Sequence, residues 1–430
     1  MQQSRRDFIR KTSSAGIGLS VLAGFNPLLA NQVEKTSKKL NHLSAKQVAQ
    51  DEGFWYLVQK AYKQSPHFIN LESGYFSPQP IEVMESQFDN IKLINEQPSF
   101  YMRRKQWEDK LAIRKQLADF AGVPVEELIV TRNTTESLDT IILGMDLKEG
   151  DEAIMTDQDY GSMLETFEMR ARRFGIVNKI ISIPLHPKND NEIVDAFEQA
   201  ITKKTKVIHV THLINLTGQI LPVRAIADMA HSKGIEVIVD AAHSFAHLDY
   251  KIPDLDGDYY GASLHKWLCC PLGSGILHMK KEKIAKVWPL FGDTSQDIDS
   301  IEKFGHIGTH PVSTNLTIAS AIKFHNSIGS KRKEERLRYL KNYWIDRVKD
   351  LPKVIINTPM EDERSCGLAN FTIEGKKPNE IADYLYNKHK IFTVGINRKS
   401  IQGVRVTPHL YTTIKELDLL VSSIEELIAS

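Results

Sequence analysis

The sequence predicts an α/β protein with two domains: a large domain built on a mostly parallel sheet flanked by helices, and a smaller C-terminal α/β domain. Between residues 105 and 280, short β-branched runs alternate with amphipathic helical stretches. After residue 310, a long charged helical stretch leads into several short strands. The 430 residues are enough for one large domain and one smaller domain.

Strands of the large domain are predicted at short runs of branched apolar residues: EELIVT (126–131), DEAIMT (151–156), KVIHVTH (206–212), EVIVD (236–240), DYYGAS (258–263) and GILHM (275–279). Helices are predicted between them at TTESLDTIILGM (134–145), GSMLETFEMRARRF (161–174) and VRAIADMAHSKG (223–234). This alternation indicates βαβ units, in which helices cover both faces of parallel strands. Ligands of such sheets bind beyond the carboxyl ends of the strands, so the site is expected there.

The smaller domain contains a predicted charged helix, KRKEERLRYLKNYWIDRVKDL (331–351). Four short strands are predicted after this helix: KVIIN (353–357), LANFTIE (368–374), IFTVG (391–395) and GVRVT (403–407). A terminal helix is predicted from about 413 to 428. The expected organisation is a signal peptide (1–30), a flexible lead-in (31–45), a segment contributing to the small domain and the pocket (46–100), the large domain (101–310) and the small domain (311–430).

The first 30 residues, MQQSRRDFIRKTSSAGIGLSVLAGFNPLLA, have the features of a twin-arginine signal peptide. Arg5 and Arg6 stand in SRRDFIRK, a run of small and apolar residues follows, and Ala30 is the expected cleavage position. A basic disordered arm, or a helix packed on the domain, is the alternative. Because twin-arginine export carries folded proteins, often with a cofactor, the sequence predicts a periplasmic protein that engages the twin-arginine translocase after acquiring its cofactor in the cytoplasm.

The composition excludes several classes of partner. Cleavage after residue 30 removes four cations and one anion, so the formal net charge of +1 becomes −2, which leaves no electrostatic footprint for nucleic acid or an anionic membrane. No later segment is long and apolar enough to cross a bilayer, so the mature chain is expected to be soluble. The three cysteines are too few for a disulfide framework, and the sequence has neither a Cys-x-x-Cys nor a His-Glu-x-x-His metal pattern.

The stretch YYGASLHKWLCCPLGSG (259–275) carries the strongest indication of chemistry. Lys266 follows a predicted strand, in company with Ser263 and His265. A lysine forms a Schiff base when it is held beside a carbonyl and partly desolvated, so that its amine loses its proton near neutral pH. The adjacent hydroxyl and imidazole suit a phosphate or a cofactor ring. A solvated surface lysine is the alternative.

Two upstream motifs end at the same predicted edge of the sheet. Asp240 ends the strand EVIVD, and His243 follows three residues later. A carboxylate in this place holds a proton on a heteroaromatic nitrogen, or it caps the next helix. Thr134 and Thr135 begin a helix directly after a strand, where hydroxyl and backbone N–H groups form an anion site. An ordinary N-cap is compatible with that role.

These motifs, in this order, resemble the pyridoxal-phosphate enzymes of the class V aminotransferase family, which includes cysteine desulfurases, kynureninase and isopenicillin N epimerase-like proteins. The resemblance covers roughly residues 65–428 and implies a fold-type I enzyme. It implies three catalytic residues: Lys266 forms the Schiff base with pyridoxal 5'-phosphate, Asp240 pairs with the pyridine nitrogen, and His243 lies near the ring and its phenolic oxygen. The implied cofactor contacts are Thr134, Thr135, Tyr160, Asn215, Asp240, His243, Ser263, His265, Lys266, Gly308 and Thr309.

The resemblance also implies how the other cofactor contacts are used. The phosphate cup would comprise Thr134, Thr135, Ser263 and His265. Tyr160 occupies the position of the residue that stacks on the ring, and Asn215 matches the asparagine that contacts the phenolic oxygen. Gly308 and Thr309, in FGHIGTHP, match a segment that reaches the phosphate of the neighbouring subunit, which implies a homodimer with shared sites.

Four residues are expected to contact the substrate. Arg405, in GVRVTPHLYTT, resembles the family arginine that clamps a substrate carboxylate, with an ordinary ion pair as the alternative. Arg398 is a second candidate, because the arginine that starts this loop in desulfurases is replaced by Gly395. Gly74 and Tyr75, in INLESGYFSPQP (69–80), are expected to line the pocket from the N-terminal side.

Ser400 stands near the position of the desulfurase catalytic cysteine, so a persulfide mechanism is not expected. The sequence then predicts an exported enzyme that acts at the amino group or α-carbon of a free or peptide-borne amino acid. It resembles periplasmic enzymes that tailor peptide siderophores such as pyoverdine, which favours a transaminase-like reaction. Epimerisation and C–S or β-lyase chemistry are alternatives within the family. A non-catalytic exported binding protein that keeps the fold as a scaffold is the alternative outside it.

Overall fold

The computed structural model describes residues 28–429. Its α-helices are α1 (Leu28–Lys39), α2 (Ala45–Ala49), α3 (Glu52–Gln59), α4 (Ile81–Glu96), α5 (Pro98–Arg104), α6 (Gln106–Ala121), α7 (Thr134–Gly144), α8 (Gly161–Phe174), α9 (Asn191–Ala200), α10 (Val223–His231), α11 (Ile252–Leu255), α12 (Lys281–Ile284), α13 (Val312–Ile328), α14 (Ser330–Val348), α15 (Pro378–His389) and α16 (Ile414–Ala429). Its strands are β1 (Ile69–Asn70), β2 (Leu128–Thr131), β3 (Glu152–Thr156), β4 (Val177–Ile181), β5 (Thr205–Thr211), β6 (Glu236–Asp240), β7 (Tyr259–Ser263), β8 (Gly275–Met279), β9 (Val354–Ile356), β10 (Ala369–Ile373), β11 (Ile391–Phe392), β12 (Val394–Asn397) and β13 (Gln402–Val406).

A seven-stranded sheet in the order β2-β8-β7-β6-β5-β3-β4 forms the large domain. Only β8 runs antiparallel to its neighbours, so the prediction of a mostly parallel sheet is confirmed. Helices cover both faces, which is why the central strands are almost continuously apolar. On β6, Val237 and Val239 belong to the core on one face and Ile238 to the core on the other.

The second sheet is antiparallel, in the order β12-β13-β10-β9, and forms the small domain. Its core includes Leu340 and Trp344 of α14, Phe371 of β10 and Leu420 of α16. The short strand β1 pairs with β11, and Leu71 directly after β1 is buried in this same core. Residues 69–71 therefore belong to the small domain, whereas Val48, Trp55 and Val83 of the same N-terminal segment are buried in the large-domain core.

The predicted boundary at residue 311 is too early for the core of the large domain. Helix α13 packs against α4 and α6, and its Val312 and Leu316 are buried in the core beneath the large sheet. Apart from Leu71, the residues of the small-domain core begin within α14, at Leu340. Helix α13 carries buried residues around its whole circumference, a pattern that its position between helical neighbours explains.

The expected flexible lead-in at residues 31–45 is wrong for most of its length, since α1 occupies it. Ala30 and Val33 are buried in the large-domain core, and Arg332 donates to the Ser37 carbonyl at 2.9 Å. These apolar contacts order a segment whose sequence is mostly polar. Ala30, the expected cleavage position, lies within α1. The rest of the predicted signal peptide, residues 1–27, lies outside the described residues.

The helices of residues 28–429 include none that is both long and apolar enough to span a membrane.

Candidate active site

Four strands of the large sheet, β2, β5, β6 and β7, end at one cavity of about 310 Å³. This is the edge of the sheet at which the parallel topology places ligands. The cofactor contacts predicted from the sequence that line the cavity are Thr134, Thr135, Tyr160, Asn215, Asp240, His243, Ser263, His265 and Lys266. We call this space the inner cavity.

Lys266 lies in the turn after β7, and its Nζ is 3.0 Å from Nε2 of His243. Trp267 Nε1–H donates to Nδ1 of His243 at 3.5 Å, so the proton of a neutral His243 belongs on Nε2. Burial lowers the pKa of Lys266 to about 8, against the pull of two nearby carboxylates. Burial and the Lys266 charge hold the pKa of His243 well below its usual range. Near neutral pH the imidazole is uncharged, and part of Lys266 is a free amine.

Asp240 ends β6, and its side chain lies in the wall of the inner cavity. Its Oδ1 accepts the backbone N–H of Ala242 at 2.9 Å. Burial raises the pKa of Asp240, while the charges of His209 and Lys266 oppose that rise. A buried carboxylate is stabilised by a compensating positive charge, so Asp240 suits a protonated ring nitrogen.

Helix α7 points its N-terminus at the inner cavity. Asn133 caps the helix by accepting the backbone N–H of Glu136 at 2.8 Å. The Oγ of Ser263 accepts the backbone N–H of Thr134 at 3.0 Å and lies 2.7 Å from Thr134 Oγ1. Hydroxyl and N–H groups therefore converge at the positive end of the helix dipole, an arrangement that binds anions.

Strand β8 passes directly beneath this helix end, which explains the glycine that begins it. A Cβ on Gly275 would lie 2.7 Å from the backbone N and Cα of Asn133. Glycine therefore allows the N-terminus of α7 to sit on the sheet. Nearby, Nδ1–H of His265 donates to the Ser274 carbonyl at 3.1 Å, which leaves Nε2 of this cavity-lining ring available.

Aromatic side chains form the outer wall of the inner cavity. They are Tyr75, Phe76 and Tyr160, and the Phe76 ring lies 5.4 Å from the ring of His265. Asn215 faces the same space, and its Oδ1 is buried without a hydrogen-bond partner among residues 28–429. Since unpaired buried amides are rare in folded proteins, Asn215 is in place to contact a bound molecule.

A larger outer cavity of about 680 Å³ adjoins the inner one and shares Tyr75, Phe76, Tyr160 and Asn215 with it. Strand β12, the loop residue Arg398 and Arg405 of β13 supply one wall, and the segment around β1 supplies the other. A molecule in the outer cavity can therefore reach Lys266 past the aromatic wall, so the two cavities suit a cofactor and a substrate.

Both predicted substrate arginines line the outer cavity, but their surroundings differ. Arg405 is buried and forms a bidentate ion pair with buried Glu72: Nε donates to Oε2 at 3.2 Å, and Nη2 donates to Oε1. Its Nη1 donates to the Asn215 carbonyl at 2.8 Å. Arg398 is exposed, and the part of the chain that the structure describes offers it no ion-pair partner. The alternative interpretation of Arg405, an ion pair, is the one that the structure shows.

Three predicted site residues do not line either cavity. Gly74 is buried behind the wall: its N–H donates to Thr407 Oγ1 at 3.0 Å, and a Cβ there would lie 3.6 Å from Cζ of Arg405. Gly308 and Thr309 are exposed and line a third cavity of about 630 Å³, which shares Arg132 and Gly273 with the inner cavity. Their predicted contact with the phosphate of a neighbouring subunit stays a prediction.

Sequence reasoning missed several residues of the site, above all Glu72, Phe76 and Thr211. Glu72 and Phe76 stand in the quoted segment at residues 69–80, but only the fold brings them to Arg405 and His265. Thr211 ends β5 beside Asp240 of β6, and its Oγ1 donates to Asp159 at 2.6 Å. The sequence feature that points to Thr211 is its position near the carboxyl end of the predicted parallel strand KVIHVTH (206–212).

The residues of the inner cavity fit pyridoxal phosphate. An amine with a lowered pKa, a buried carboxylate, an anion-binding helix N-terminus and an unpaired amide oxygen all face one space. The amine matches the aldehyde, the carboxylate the ring nitrogen and the helix N-terminus the phosphate, and the Asn215 amide can donate its N–H to the phenolic oxygen.

Comparisons with known proteins agree with this fit. Residues 76–420 match the model of the family described as aminotransferase class-V. An isopenicillin N epimerase from Amycolatopsis lactamdurans is 25% identical over 395 residues, which cover 87% of this chain and 98% of that protein.

Solved structures share the fold. The apo cysteine desulfurase from Thermococcus onnurineus NA1 superposes with a TM-score of 0.74 at 23% identity, over 86% of this chain and 97% of that one. A mutant of C-DES with glycine covalently linked to its PLP cofactor superposes with a TM-score of 0.73 at 20% identity, over 83% of this chain and 96% of that one. The family match spans most of the sequence and the site fits the cofactor, and the chain therefore belongs to the class V aminotransferase family of pyridoxal-phosphate enzymes.

Proposed function

We propose that this enzyme carries out a transaminase-like reaction at the amino group of an amino-acid moiety, free or in a peptide. One observation carries the proposal: Lys266 Nζ lies 3.0 Å from His243 Nε2, in the cavity that Asp240 also lines. A free amine held there can take a proton from a substrate Cα and return it to a neighbouring atom. In transamination the proton that leaves Cα is delivered to a different atom, whereas in simple exchange Cα itself is protonated again.

The side chains of the inner cavity have distinct roles in this proposal. Bound pyridoxal phosphate supplies an aldehyde that bonds to amines and a ring that withdraws electrons from Cα. Thr134 and Ser263 hold the phosphate at the α7 N-terminus, together with Thr135 and His265. Asp240 keeps a proton on the ring nitrogen.

Three further side chains position the reacting groups. His243 donates its Nε2 proton toward the Lys266 amine and keeps that amine in place. Tyr160 and Asn215 line the inner cavity, where Tyr160 would pack on the ring face and the Asn215 amide would contact the phenolic oxygen. The aromatic side chains Tyr75, Phe76 and Tyr160 border the opening of the inner cavity and are themselves exposed, so a bound substrate would cover them.

Epimerisation is a second candidate, favoured by the similarity to isopenicillin N epimerase over 98% of that protein's length. A persulfide reaction is disfavoured, because all three cysteines of the chain are buried and none of them lines the inner or the outer cavity. Ser400, in the loop between β12 and β13, replaces the expected nucleophile.

We also propose that the enzyme works in the periplasm on a peptide, such as a peptide siderophore. Arg5 and Arg6 support export of the folded chain, and cofactor loading in the cytoplasm gives a reason for that route. The outer cavity, at about 680 Å³, supports a substrate larger than one small amino acid.

A single-turnover reaction in D₂O tests the type of reaction. Purified holoenzyme is mixed with free amino acids and short peptides, and the cofactor spectrum and the recovered substrate are analysed. We expect conversion of the cofactor to its amine form together with a carbonyl product. Recovery of an inverted substrate with deuterium at Cα and an unchanged cofactor would overturn this in favour of epimerisation. Lys266→Ala should abolish both signals, and Lys203→Ala, at an exposed lysine, should change neither.

A further inference from the structure

The pair formed by Glu72 and Arg405 blocks the contact that an arginine ordinarily offers to a substrate carboxylate. An arginine binds a carboxylate best along one edge, through two parallel N–H groups. Glu72 already occupies the Nε and Nη2 edge of Arg405, and the Asn215 carbonyl takes a third N–H. The side chains of Arg405 and Glu72 are only 8% and 5% exposed, so water does not compete for these bonds.

Packing holds Glu72 in this position. Its backbone N–H donates to Asn70 Oδ1 at 3.1 Å, and Thr407 Oγ1 lies 3.4 Å from its Oε2. Gly74 packs close behind the pair, with room for no side chain larger than hydrogen before Thr407 would have to shift. Glu72 is therefore a fixed part of the cavity wall.

A substrate carboxylate placed beside this neutral pair would bring a second negative charge next to Glu72. In a buried site that charge is uncompensated, which disfavours binding. A neutral amide carries no such charge, and it can donate its N–H to Glu72 and accept from Arg405. The pair thus suits an amine whose neighbouring carboxyl group is already part of an amide bond.

The outer cavity has room for the rest of such a molecule. Phe68, Phe392 and Tyr411 line it, and at about 680 Å³ it lies within the range of roughly 300–1,000 Å³ typical of ligand sites. Lys63 and Arg398 also line it; both are exposed, and residues 28–429 contain no carboxylate paired with either of them. Their charges favour an anionic group at the far end of the ligand.

We propose that Glu72 makes this enzyme selective for the N-terminal residue of a short acidic peptide over the free amino acid. This rests on the proposed function, since it assumes that an amine substrate bonds to the cofactor. The proposal assigns Glu72 as the residue that determines specificity. Arg405 is then the partner of Glu72, and Arg398 contacts the anionic group of the ligand.

The test uses the holoenzyme and measures apparent dissociation constants from the absorption change of the bound cofactor. The probes are L-alanine, L-alaninamide, L-alanyl-L-glutamate and methylamine, with concentrations expressed as unprotonated amine. Wild-type enzyme should bind alaninamide and alanylglutamate about tenfold or more tightly than alanine. Glu72→Gln should shift the preference toward alanine by about tenfold or more, because Arg405 loses its partner. Arg398→Gln should weaken alanylglutamate alone.

Two negative outcomes are distinguishable. Alanine binding as tightly as alaninamide to the wild-type enzyme would overturn the role of Glu72 and leave the proposed function standing; this result needs no variant that could misfold. A cofactor band that responds to none of the probes, methylamine included, would overturn the proposed function and this selectivity with it.

Discussion

Lys266, His243 and Asp240 are three titratable side chains in one buried space, and burial moves each of them toward its uncharged form. The pKa values of the lysine and the histidine fall, and the pKa of the aspartate rises. Pyridoxal phosphate reverses the situation for Asp240, because a protonated ring nitrogen gives the carboxylate a partner. The Lys266 amine is therefore available as a nucleophile near neutral pH. The Asp240 carboxylate is stabilised when the cofactor supplies a protonated ring nitrogen as its partner.

The uptake of pyridoxal phosphate by the apoenzyme should depend on pH through Lys266. The free amine is the nucleophile, and burial lowers its pKa to about 8, so the rate of covalent attachment should rise with pH and reach half its maximum near pH 8. Stopped-flow absorbance between pH 6.5 and 9.5 measures the rate. A rate that shows no levelling by pH 9.5, as expected for an amine with the unshifted lysine pKa of 10.5, would contradict the prediction.

The same shift affects the stability of the apoprotein. Between about pH 8 and pH 10.5, the unfolded chain retains the Lys266 proton that the folded chain has lost. The free energy of unfolding contributed by this group therefore rises with pH across that window. Lys266→Ala should remove this part of the pH dependence and should also prevent borohydride from fixing the cofactor to the chain.

Asp240→Asn should slow turnover by about 10²–10⁴-fold, the range expected when one proton-holding group of an active site is lost. The asparagine keeps the bond to the Ala242 N–H but cannot hold a proton on the ring nitrogen by charge. Cofactor affinity should change much less, because the proposed phosphate contacts, at the start of α7 and at and after the end of β7, stay in place. Steady-state kinetics and cofactor titration separate the two effects.

A matched variant tests whether that loss is specific. Asp159→Asn removes a second buried carboxylate at the same sheet edge, one that contacts Thr211 and does not line the inner cavity. It should leave turnover within a few-fold of the wild type. An equal loss in both variants would show that any buried charge change disturbs the sheet edge.

At the scale of elements, the strands buried on both faces were all predicted, whereas one partly exposed strand, β4, was not. EVIVD and GILHM coincide with β6 and β8, because a strand covered on both sides needs an unbroken apolar run. Strand β4 was missed, since it lies at the edge of the sheet and its sequence, VNKII, is partly exposed and contains polar residues. Helix α1 was missed because its order comes from tertiary contacts with α13.

The candidate site likewise contains residues whose proximity the sequence predicts and residues whose contact it does not predict. Lys266, Asp240 and Thr134 follow predicted strands directly, so the parallel topology alone brings them together. The pair of Glu72 and Arg405 joins residues 333 positions apart in sequence, across two elements of the small-domain side. No local pattern signals such a contact, and Arg405 alone resembles a free substrate clamp.

The N-cap of α7 should matter for both stability and cofactor binding. Asn133→Ala removes the acceptor for the Glu136 N–H and should cost about 1 kcal/mol of unfolding free energy. It should also weaken cofactor affinity, because Asn133 fixes the helix end that lines the inner cavity. Urea unfolding and cofactor titration provide the two measurements.

The control is Ser44→Ala, at the N-cap of α2. Ser44 accepts the Gln47 N–H at 3.2 Å in a capping box and lies in neither cavity. It should cost a similar amount of stability and leave cofactor affinity unchanged. A loss of affinity in both variants would mean that general destabilisation, and not the anion site, explains the effect.

At the scale of the whole molecule, the site lies where the two domains meet. Lys266 and Asp240 come from the large sheet, whereas Arg405 comes from β13 of the small one. In the proposed function, substrate selection and cofactor chemistry thus draw on residues of different cores, joined by the bond from Arg405 Nη1 to the Asn215 carbonyl. Phe76 and Tyr160 lie between the inner and outer cavities and link the two functions.

Subunit sharing should appear as complementation between two inactive variants. If Gly308 and Thr309 complete the site of a neighbouring subunit, Thr309→Asp places a negative charge against its phosphate and Lys266→Ala removes the nucleophile. A refolded equal mixture should recover about a quarter of wild-type activity, since each mixed dimer contains one intact site. Absence of recovery in a mixture shown to be dimeric would contradict shared sites.

Export should depend on the first arginine pair and should take place after the cofactor is bound. Arg5→Lys with Arg6→Lys keeps the charge but removes the paired guanidinium groups of the proposed signal, so the enzyme should stay in the cytoplasm, folded and with its cofactor band. The matched control is Arg103→Lys with Arg104→Lys, an exposed adjacent pair in α5 that should leave the location unchanged. Cell fractionation combined with absorption spectra of each fraction gives both readouts. An unchanged distribution of the first variant would contradict twin-arginine export, and if both forms are in the cytoplasm it would place the enzyme there. A periplasmic wild-type fraction that lacks the cofactor band would separate export from cofactor loading.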